Sequence, residues 1–177
     1  MRRAGVAGAA MRLRDDRPNV MLDIETLSLK PNAHILSVAA VAFTADGPTE
    51  TLRVDLGLSK QGRDISLDTL HWHLDLGTDL GRREDFRSAI VRLHAFLHAR
   101  PKVRVWAKSP DFDCVILADA FRQLDLPVPW HYAHTRCVRT VCDGVEDLPT
   151  HASMVLQPHD PVADCLVQIA GVLKALT

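Results

Sequence analysis

The stretch VMLDIET, residues 20–26, places two carboxylates in a segment that otherwise has the composition of a buried β-strand. Side chains alternate across a strand, so Asp23 and Glu25 share one face while Leu22 and Ile24 share the other. Two unpaired carboxylates side by side are costly to desolvate and repel each other, which predicts a cation between them. A hard divalent cation such as Mg²⁺ or Mn²⁺ suits oxygen ligands best. The alternative is a strand that simply runs out into a solvated turn.

Length and composition predict one ordinary globular domain. The chain has 177 residues, of which 47% are hydrophobic and 24% charged, and a chain of this size can bury a core without disulfides. The formal net charge of −1 argues against a large, uniformly basic surface for nucleic acid, although a small site in which metal ions supply the positive charge remains compatible with it. The four cysteines lack zinc-like spacing, so we expect free thiols and a cytoplasmic protein.

The first 18 residues are expected to lie outside the folded domain. They combine small residues and arginines without usable periodicity, which predicts a disordered tail at 1–18 and a single domain at 19–177. The apolar part of this tail is too short, and too interrupted by glycine and charge, for a signal peptide. The longest uncharged apolar run, residues 33–45, is too short and too polar to span a bilayer, so no membrane association is expected.

The order of the elements predicts an α/β domain with a mixed sheet. Three β-type runs joined by short connections favour three consecutive antiparallel strands. Two helical patterns follow, and the helical crossover makes a fourth strand parallel. The strands are predicted at 20–26, 34–43, 51–56 and 103–107, and the helices at about 66–74 and 83–99.

A third carboxylate lies near the start of the next helix. Residues 109–111, Ser-Pro-Asp, supply N-cap and first-turn chemistry for a helix that runs to about Leu124. Asp113 shares the face of Leu117 and Leu124, just beyond the carboxyl end of a strand, where α/β folds build their sites. Acidic residues in a first turn also stabilise the helix dipole, and that explanation suits Asp111 better than Asp113.

The segment after this helix is predicted to hold a fifth strand and a short helix. Residues 131–134 are expected to form a short strand or edge, and residues 135–145 a helix. Arg136 and Arg139 share a face of that helix, where they are placed to meet either phosphate or solvent.

The last helix carries a histidine and a fourth carboxylate at its start. Asp160 and Pro161 predict its N-cap and first position, and an apolar stripe follows to Leu176. His159 therefore lies on the preceding loop, while Asp164 is fixed one turn inside the helix. The alternative is a capped surface helix without a site.

The order of these motifs resembles the DEDDh exonucleases, the DnaQ-like branch of the ribonuclease H-like fold. Asp-x-Glu on a first strand, Phe-Asp opening a helix after a fourth strand, and His-x4-Asp opening the last helix are all present. The resemblance implies a ribonuclease H-like α/β fold whose central mixed five-stranded sheet is flanked by helices. It also implies five catalytic residues, namely the metal ligands Asp23, Glu25, Asp113 and Asp164 and the general base His159.

A closer resemblance covers residues from about Val20 to Leu173. It is to the small single-domain exoribonuclease family typified by phage exonuclease A and mycobacterial-type RNase AS, and it rests on the segments 21–43, 68–72, 106–117, 129–141 and 159–165. Members of that family often carry Trp-Gly-Asn-Gly before the Phe-Asp segment, whereas residues 106–109 here are Trp-Ala-Lys-Ser. The last motif reads Asp160-Pro161 where relatives commonly have Asn-Ala.

The family resemblance implies a 3′-5′ exoribonuclease that hydrolyses single-stranded RNA from its free 3′ end to nucleoside 5′-monophosphates. Two Mg²⁺ or Mn²⁺ ions per active site are implied as cofactors, and a homodimer is suggested. Leu27 is expected to pack on the terminal base. Further substrate contacts are expected at Thr26, Trp72, Lys108 and Arg139.

Two alternatives remain open at this point. A DNA-directed or mixed-specificity 3′-5′ exonuclease, similar to a proofreading subunit, would need the same carboxylates, and recognition of a 2′-hydroxyl cannot be read from these residues. A catalytically silent nucleic-acid-binding module on the same fold is the other. The silent module is disfavoured because none of the four carboxylates is missing.

Overall fold

The computed structural model describes residue 13 and residues 16–176, which form a five-stranded sheet with helices on both faces. The strand order across the sheet is β3-β2-β1-β4-β5. β1 and β3 are antiparallel to β2, whereas β4 is parallel to both β1 and β5. The predicted α/β mixed sheet is therefore confirmed. The strands are β1 Asn19–Thr26, β2 Ile35–Thr44, β3 Gly47–Asp55, β4 Arg104–Ala107 and β5 Thr135–Cys137.

Six α-helices are found among the described residues. They are α1 Leu67–Asp75, α2 Phe86–His98, α3 Asp113–Gln123, α4 Val138–Cys142, α5 His151–Met154 and α6 Pro161–Leu176. Three of them start where cap chemistry predicts. The side chains of Ser66 and Asp85 accept hydrogen bonds from the first turns of α1 and α2, and Asp160 accepts from the backbone N–H groups of residues 162 and 163.

The alternation of side chains along β1 divides the core into two layers. Leu22 and Ile24 pack on one face of the sheet in a cluster that includes apolar residues of α2 and α3. Met21 packs on the other face in a cluster that includes apolar residues of α4 and α6. Asp23 and Glu25 lie on the face of Met21, because strand side chains repeat every second residue. The two carboxylates therefore face the side of the sheet that α6 covers.

The structure corrects the prediction for residues 131–145. The segment Tyr132–His134 is a 3₁₀ turn and not a strand, because the side chain of His131 accepts a hydrogen bond from the N–H of Ala133 and starts the turn. The fifth strand begins only at Thr135, which pairs with Val105 of β4. The following helix, α4, is correspondingly shorter than predicted, and the four-residue helix α5 was not anticipated from the sequence.

The helix that carries Asp113 also starts later than predicted. The backbone carbonyl of Ser109 accepts hydrogen bonds from the N–H groups of Phe112 and Asp113, so residues 109–112 form a turn ahead of α3. The N-cap residue is Phe112, and no side chain caps this helix. Asp113 is therefore the first helical residue, and the capping role expected for the 109–111 segment was wrong.

The segment predicted to be disordered, 1–18, lies mostly outside the described residues. Its last residues contact the sheet, since Asp16 forms an ion pair of 2.5 Å with Arg104 and the carbonyl of Pro18 accepts from the N–H of Arg104. Among the described residues, no helix has the length and apolar character needed to cross a membrane. All four cysteines are free.

Candidate active site

Three carboxylates from two elements meet at the carboxyl end of β1. Asp23 and Glu25 come from β1, and Asp164 comes from the first turn of α6. One ligand oxygen from each of the three lies within 4.8 Å of the other two. The residues opposite Asp23 and Glu25 on β2 are the small Ala39 and Ser37, which leave space for α6 to approach. The sequence motifs thus become one acidic cluster.

Asp113 is the fourth carboxylate, and it approaches from the other side of β1. Its side chain is buried, with 6% exposed, at the first position of α3. Burial raises the pKa of Asp113 to about 7, although backbone hydrogen bonding at Asp113 itself, Ile24 and Ser109 and the charge of Arg139 act in the opposite direction. Asp113 raises the pKa values of Asp23 and Glu25 in turn, which places its charge beside theirs.

The electrostatics of the cluster favour a bound cation. Burial, followed by the charges of Asp113 and Asp164, raises the pKa of Asp23 to about 9. Burial and the same two neighbours raise the pKa of Glu25 to about 7. An all-oxygen donor set with excess negative charge matches the preference of Mg²⁺ and Mn²⁺. The residues present therefore fit the divalent cofactor that the sequence predicts.

His159 lies at the edge of this cluster on the loop before α6. Its backbone adopts a left-handed conformation, with φ of 60°, and its ring meets the ring of Trp72 edge-on at 5.0 Å. His159 and Glu25 line one cavity of about 430 Å³, so the imidazole shares an open space with the acidic cluster. The ring is exposed, as expected of a group that meets substrate or water.

A second histidine, His151, was not identified from the sequence. Its Nε2 lies 2.6 Å from Oδ1 of Asp164, and α5 holds it there by packing on α6. The capping box formed by Thr150 and Ser153 starts α5 and sets the position of this histidine. Thr150 as an N-cap residue is a signal in the sequence for the short helix, but no signal there points to Asp164.

Gln168 is a further residue that motif reasoning missed. Its Nε2 donates a hydrogen bond of 2.8 Å to Oδ1 of Asp23, and the side chain is almost fully buried. Gln168 follows Asp164 by four residues on α6, so both side chains lie on the same helix face. That spacing was available in the sequence, whereas the contact with β1 depends on the packing of α6.

The exposed apolar residues beside the cluster differ in part from those predicted. Trp72, with 43% of its surface exposed, lines a cavity of about 410 Å³ together with Thr26 and Phe112. Leu27 was wrongly expected to contact the base, since it is 0% exposed and its N–H donates to the carbonyl of His34. Leu29, 78% exposed, lines the same cavity in its place.

Two polar neighbours complete the wall of this cavity. Thr26 is buried, and its hydroxyl donates a hydrogen bond of 2.8 Å to the carbonyl of Ser28, so only part of the residue faces the cavity. The i, i+2 spacing of His71 and His73 puts them on different faces of α1, and both were expected to be surface or edge histidines, which was wrong for His73. Its ring is buried and contacts the carbonyl of Thr26 through Nε2 at 3.0 Å.

The two predicted cations lie on the other side of the cluster. Lys108 and Arg139 are exposed and line a cavity of about 340 Å³ between α4 and α6, which Gln168 also lines. Arg139 is close enough to Asp113 to lower its pKa. Arg136 instead donates to the backbone carbonyls of Ala133 and Thr135. Of the two arginines, Arg139 is therefore the one that borders the site.

Comparison with known proteins agrees with this geometry. The profile of the 3′-5′ exoribonuclease Rv2179c-like domain matches residues 18–176. The chain belongs to this family. The expected enzyme class, a 3′-5′ exonuclease, and the resemblance to small exoribonucleases are confirmed at the level of the family. No curated protein matches the chain significantly.

Solved structures similar to this family member share its fold. E. coli exonuclease I in complex with a dT13 oligonucleotide aligns with a TM-score of 0.68 and 13% identity, covering 91% of this chain and 42% of that one. The zinc-bound form of the E. coli exonuclease I complex with single-stranded DNA aligns with a TM-score of 0.65 and 16% identity, covering 87% and 39%. The chain thus spans about two-fifths of the length of these proteins. At this level of identity the similarity establishes the ribonuclease H-like fold.

The raised pKa values predict that Asp23→Asn stabilises the metal-free protein, increasingly so as the pH rises. The folded protein holds the Asp23 proton up to a pH of about 9, whereas the unfolded chain loses it near pH 4, so folding of the wild type becomes less favourable between these values. Asparagine has no charge to bury. In urea unfolding with EDTA, the difference in free energy of unfolding between Asp23→Asn and wild type should grow by more than about 1 kcal/mol from pH 5 to pH 8.

Two controls accompany this measurement. Asp111→Asn, an exposed change two residues from Asp113, should produce no comparable trend. Saturating Mn²⁺ should raise the free energy of unfolding of the wild type and raise that of Asp23→Asn much less, because a ligand that binds only the folded state stabilises it. A pH-independent difference between Asp23→Asn and wild type would contradict the repulsion described for the cluster.

The burial of Leu27 and the exposure of Leu29 predict opposite effects of two alanine substitutions. Leu27→Ala should lower the free energy of unfolding by about 2–5 kcal/mol, as expected for a fully buried leucine. Leu29→Ala should leave stability within about 0.5 kcal/mol of wild type and weaken oligonucleotide binding. Urea unfolding and fluorescence anisotropy with Ca²⁺ distinguish the two effects. A stable Leu27→Ala protein with weakened binding would restore the role first expected for Leu27.

Proposed function

We propose that this chain is a two-metal 3′-5′ exoribonuclease that removes nucleoside 5′-monophosphates one at a time from the 3′ end of single-stranded RNA. The observation that carries the proposal is the convergence of Asp23, Glu25 and Asp164, with Asp113 beside them, where Glu25 lines two cavities. Membership in a 3′-5′ exoribonuclease family supports RNA as the substrate.

The four carboxylates have the role of holding divalent cations, Mg²⁺ or Mn²⁺. Bound cations of this kind lower the pKa of a coordinated water and stabilise the leaving oxygen in phosphodiester hydrolysis. Gln168 orients Asp23 through its hydrogen bond to Oδ1. Cap bonds to Asp160 fix the start of α6 and so fix Asp164, whose own N–H donates to the carbonyl of Asp160. The ligand positions are therefore built into the backbone of the domain.

The terminal nucleotide is proposed to occupy the cavity lined by Trp72, Leu29 and Phe112. These side chains offer an apolar surface on which a base can stack, and base stacking is tolerant of sequence. The base must leave any duplex to enter, so single strands and overhangs are the expected substrates. Lys108 and Arg139, on the opposite side of the cluster, are positioned to contact the chain of phosphates leading to the 3′ end.

His159 is proposed as the general base. Its exposed imidazole shares a cavity with Glu25, and the loop before Pro161 carries it independently of the helix that fixes Asp164. A base in this position accepts the proton of the attacking water. His151, by contrast, lies against Asp164 and is assigned a positioning role.

A DNA-directed exonuclease is the second candidate. The observation in its favour is that structurally similar E. coli exonuclease I proteins hold single-stranded DNA in their solved complexes. The carboxylate cluster serves either substrate, because phosphodiester hydrolysis is the same reaction. A cytoplasmic location and a homodimer stay predictions of the sequence.

The test is a time course on 5′-labelled single-stranded RNA and on DNA of the same sequence, with Mn²⁺ or with EDTA. Wild type should shorten the RNA in single-nucleotide steps only with metal, release 5′-monophosphates, and act on DNA more slowly. Asp113→Asn should lose at least about 10³-fold in rate, because a ligand is lost from the metal site. Asp111→Asn is the matched control and should retain most of the activity, since its side chain is exposed.

Three results would contradict the proposal. Cleavage of circular RNA would indicate an endonuclease, and a preference for DNA would select the second candidate. Wild-type activity in Asp113→Asn would remove Asp113 from the metal site.

His159→Ala should lose about 10² to 10⁴ in rate, the usual contribution of a positioned base. Only an unprotonated imidazole accepts a proton, so the wild-type rate should rise with pH and level off, and this rise should vanish in the variant. His71→Ala, an exposed histidine next to Trp72, is the matched control and should keep the wild-type profile. Mn²⁺ affinity measured by calorimetry should barely change in His159→Ala. If the rate of His159→Ala still rose with pH, the pH dependence would have to come from the carboxylates and not from His159.

A further inference from the structure

The cavity between α4 and α6 is lined by Gln168, whose buried side-chain amide includes a hydrogen-bond acceptor that lacks a donor. Gln168 is 7% exposed, and its Nε2 is engaged by Oδ1 of Asp23. When a cation is bound, the carboxylate of Asp23 is ionised and only accepts hydrogen bonds, so the amide nitrogen of Gln168 faces Asp23 and the amide oxygen points away from it. Oε1 has no hydrogen-bond partner among the described residues. A buried acceptor without a donor costs about 1–3 kcal/mol, so a donor from a ligand or from an ordered water is expected there.

The charges around this cavity indicate what else the ligand carries. Lys108 and Arg139 line it, and neither forms an ion pair with any described residue. Asp143 is the one acidic residue in the lining, and Val138 and Leu148 provide apolar surface. Two cations against one carboxylate favour an anionic ligand. The ligand is therefore expected to carry a negative charge for the two cations and one hydrogen-bond donor for Oε1 of Gln168.

A ribose-phosphate unit of RNA matches both features. Its phosphate is the anion, and its 2′-hydroxyl is a hydrogen-bond donor attached to the same sugar backbone. Base N–H groups differ from one nucleotide to the next, whereas the 2′-hydroxyl is present in every nucleotide of RNA and absent from DNA. Gln168 contacts Asp23 directly, so a sugar in this cavity would be one side chain away from the acidic cluster.

We propose that the cavity between α4 and α6 binds a ribose-phosphate of the RNA next to the scissile bond, with Gln168 Oε1 accepting a hydrogen bond from its 2′-hydroxyl. Arg139 and Lys108 contact the phosphate of the same unit. This inference rests on the proposed nuclease function and names the residue that distinguishes RNA from DNA. Gln168 then has two roles: its amide nitrogen orients Asp23, and its amide oxygen selects the sugar.

The test combines single-atom changes in the RNA with substitution of Gln168. A series of RNA oligonucleotides carries one 2′-deoxy nucleotide at each of the last four positions. Dissociation constants are measured by fluorescence anisotropy with Ca²⁺ in place of the catalytic metal, for wild type and for Gln168→Leu. Wild type should lose about tenfold in affinity at one position, and Gln168→Leu should show no further loss at that position. Such coupling isolates the Oε1 contact from any effect of the variant on Asp23.

Matched variants separate this contact from general effects. Gln123→Leu removes an amide on α3, which packs on the opposite face of the sheet, and should keep the wild-type penalty for the deoxy position. Arg139→Ala should weaken binding of every oligonucleotide alike and reduce the salt dependence of binding. Arg87→Ala, an exposed cation on α2, should do neither. Thermal melts establish that each variant is folded, and Gln168→Met replaces Gln168→Leu if the latter is not.

Two outcomes would overturn the inference. In the first, wild type does not discriminate at any of the four positions, and a water molecule satisfies Oε1. The penalty could also persist unchanged in Gln168→Leu, which would place the 2′-hydroxyl elsewhere. Failure of the proposed function is a separate result. Wild type with Mn²⁺ would then not shorten all-ribose RNA, regardless of the dissociation constants measured for the 2′-deoxy series.

Discussion

Mutual repulsion among four partly desolvated carboxylates is the constraint on which the arrangement of this domain depends. Asp23 and Glu25 are held near Asp164, because β1 is paired with β2 along its whole length and with β4 at residues 19–21. A central strand has no free edge and cannot shift its register without moving every side chain to the other face. The sheet therefore holds the acidic groups together against the cost of burial and mutual repulsion that the raised pKa values of Asp23 and Glu25 express.

The local contacts around the cluster oppose the same repulsion in different ways. Asp160 caps α6 and bonds to Arg53 of β3, so the helix that carries Asp164 is tied to the edge of the sheet. Gln168 donates to Asp23, and His151 lies against Asp164. Each contact occupies a carboxylate oxygen or fixes its backbone, which orients the ligands before a cation binds. The site is destabilising for the empty domain and preorganised for the metal-bound one.

The positions of Asp23, Glu25 and Asp164 were predictable because each of them lies on an element whose start or period is legible in the sequence. The alternation along β1 paired Asp23 with Glu25, and the Asp-Pro cap placed Asp164. The expectation for Leu27, which came from the family resemblance, failed, since the register between β1 and β2 shifts between Glu25 and Thr26. Leu27 turns into the core as a result. A shift of this kind depends on tertiary packing, and so do the contacts made by His151 and Gln168.

The segment 107–109 illustrates how a departure from a family pattern can leave a site intact. Glycine is favoured where the backbone is left-handed, yet Ala107, Lys108 and Ser109 all lie outside the left-handed region. Ala107 ends β4 fully buried, and the Ser109 carbonyl accepts from the first turn of α3, so ordinary L-residues suffice to place Asp113. What changes is the side chain at residue 108, which becomes a cation beside the cavity between α4 and α6. In this chain the departure therefore adds a positive charge beside this cavity, while ordinary L-residues still place Asp113 at the start of α3.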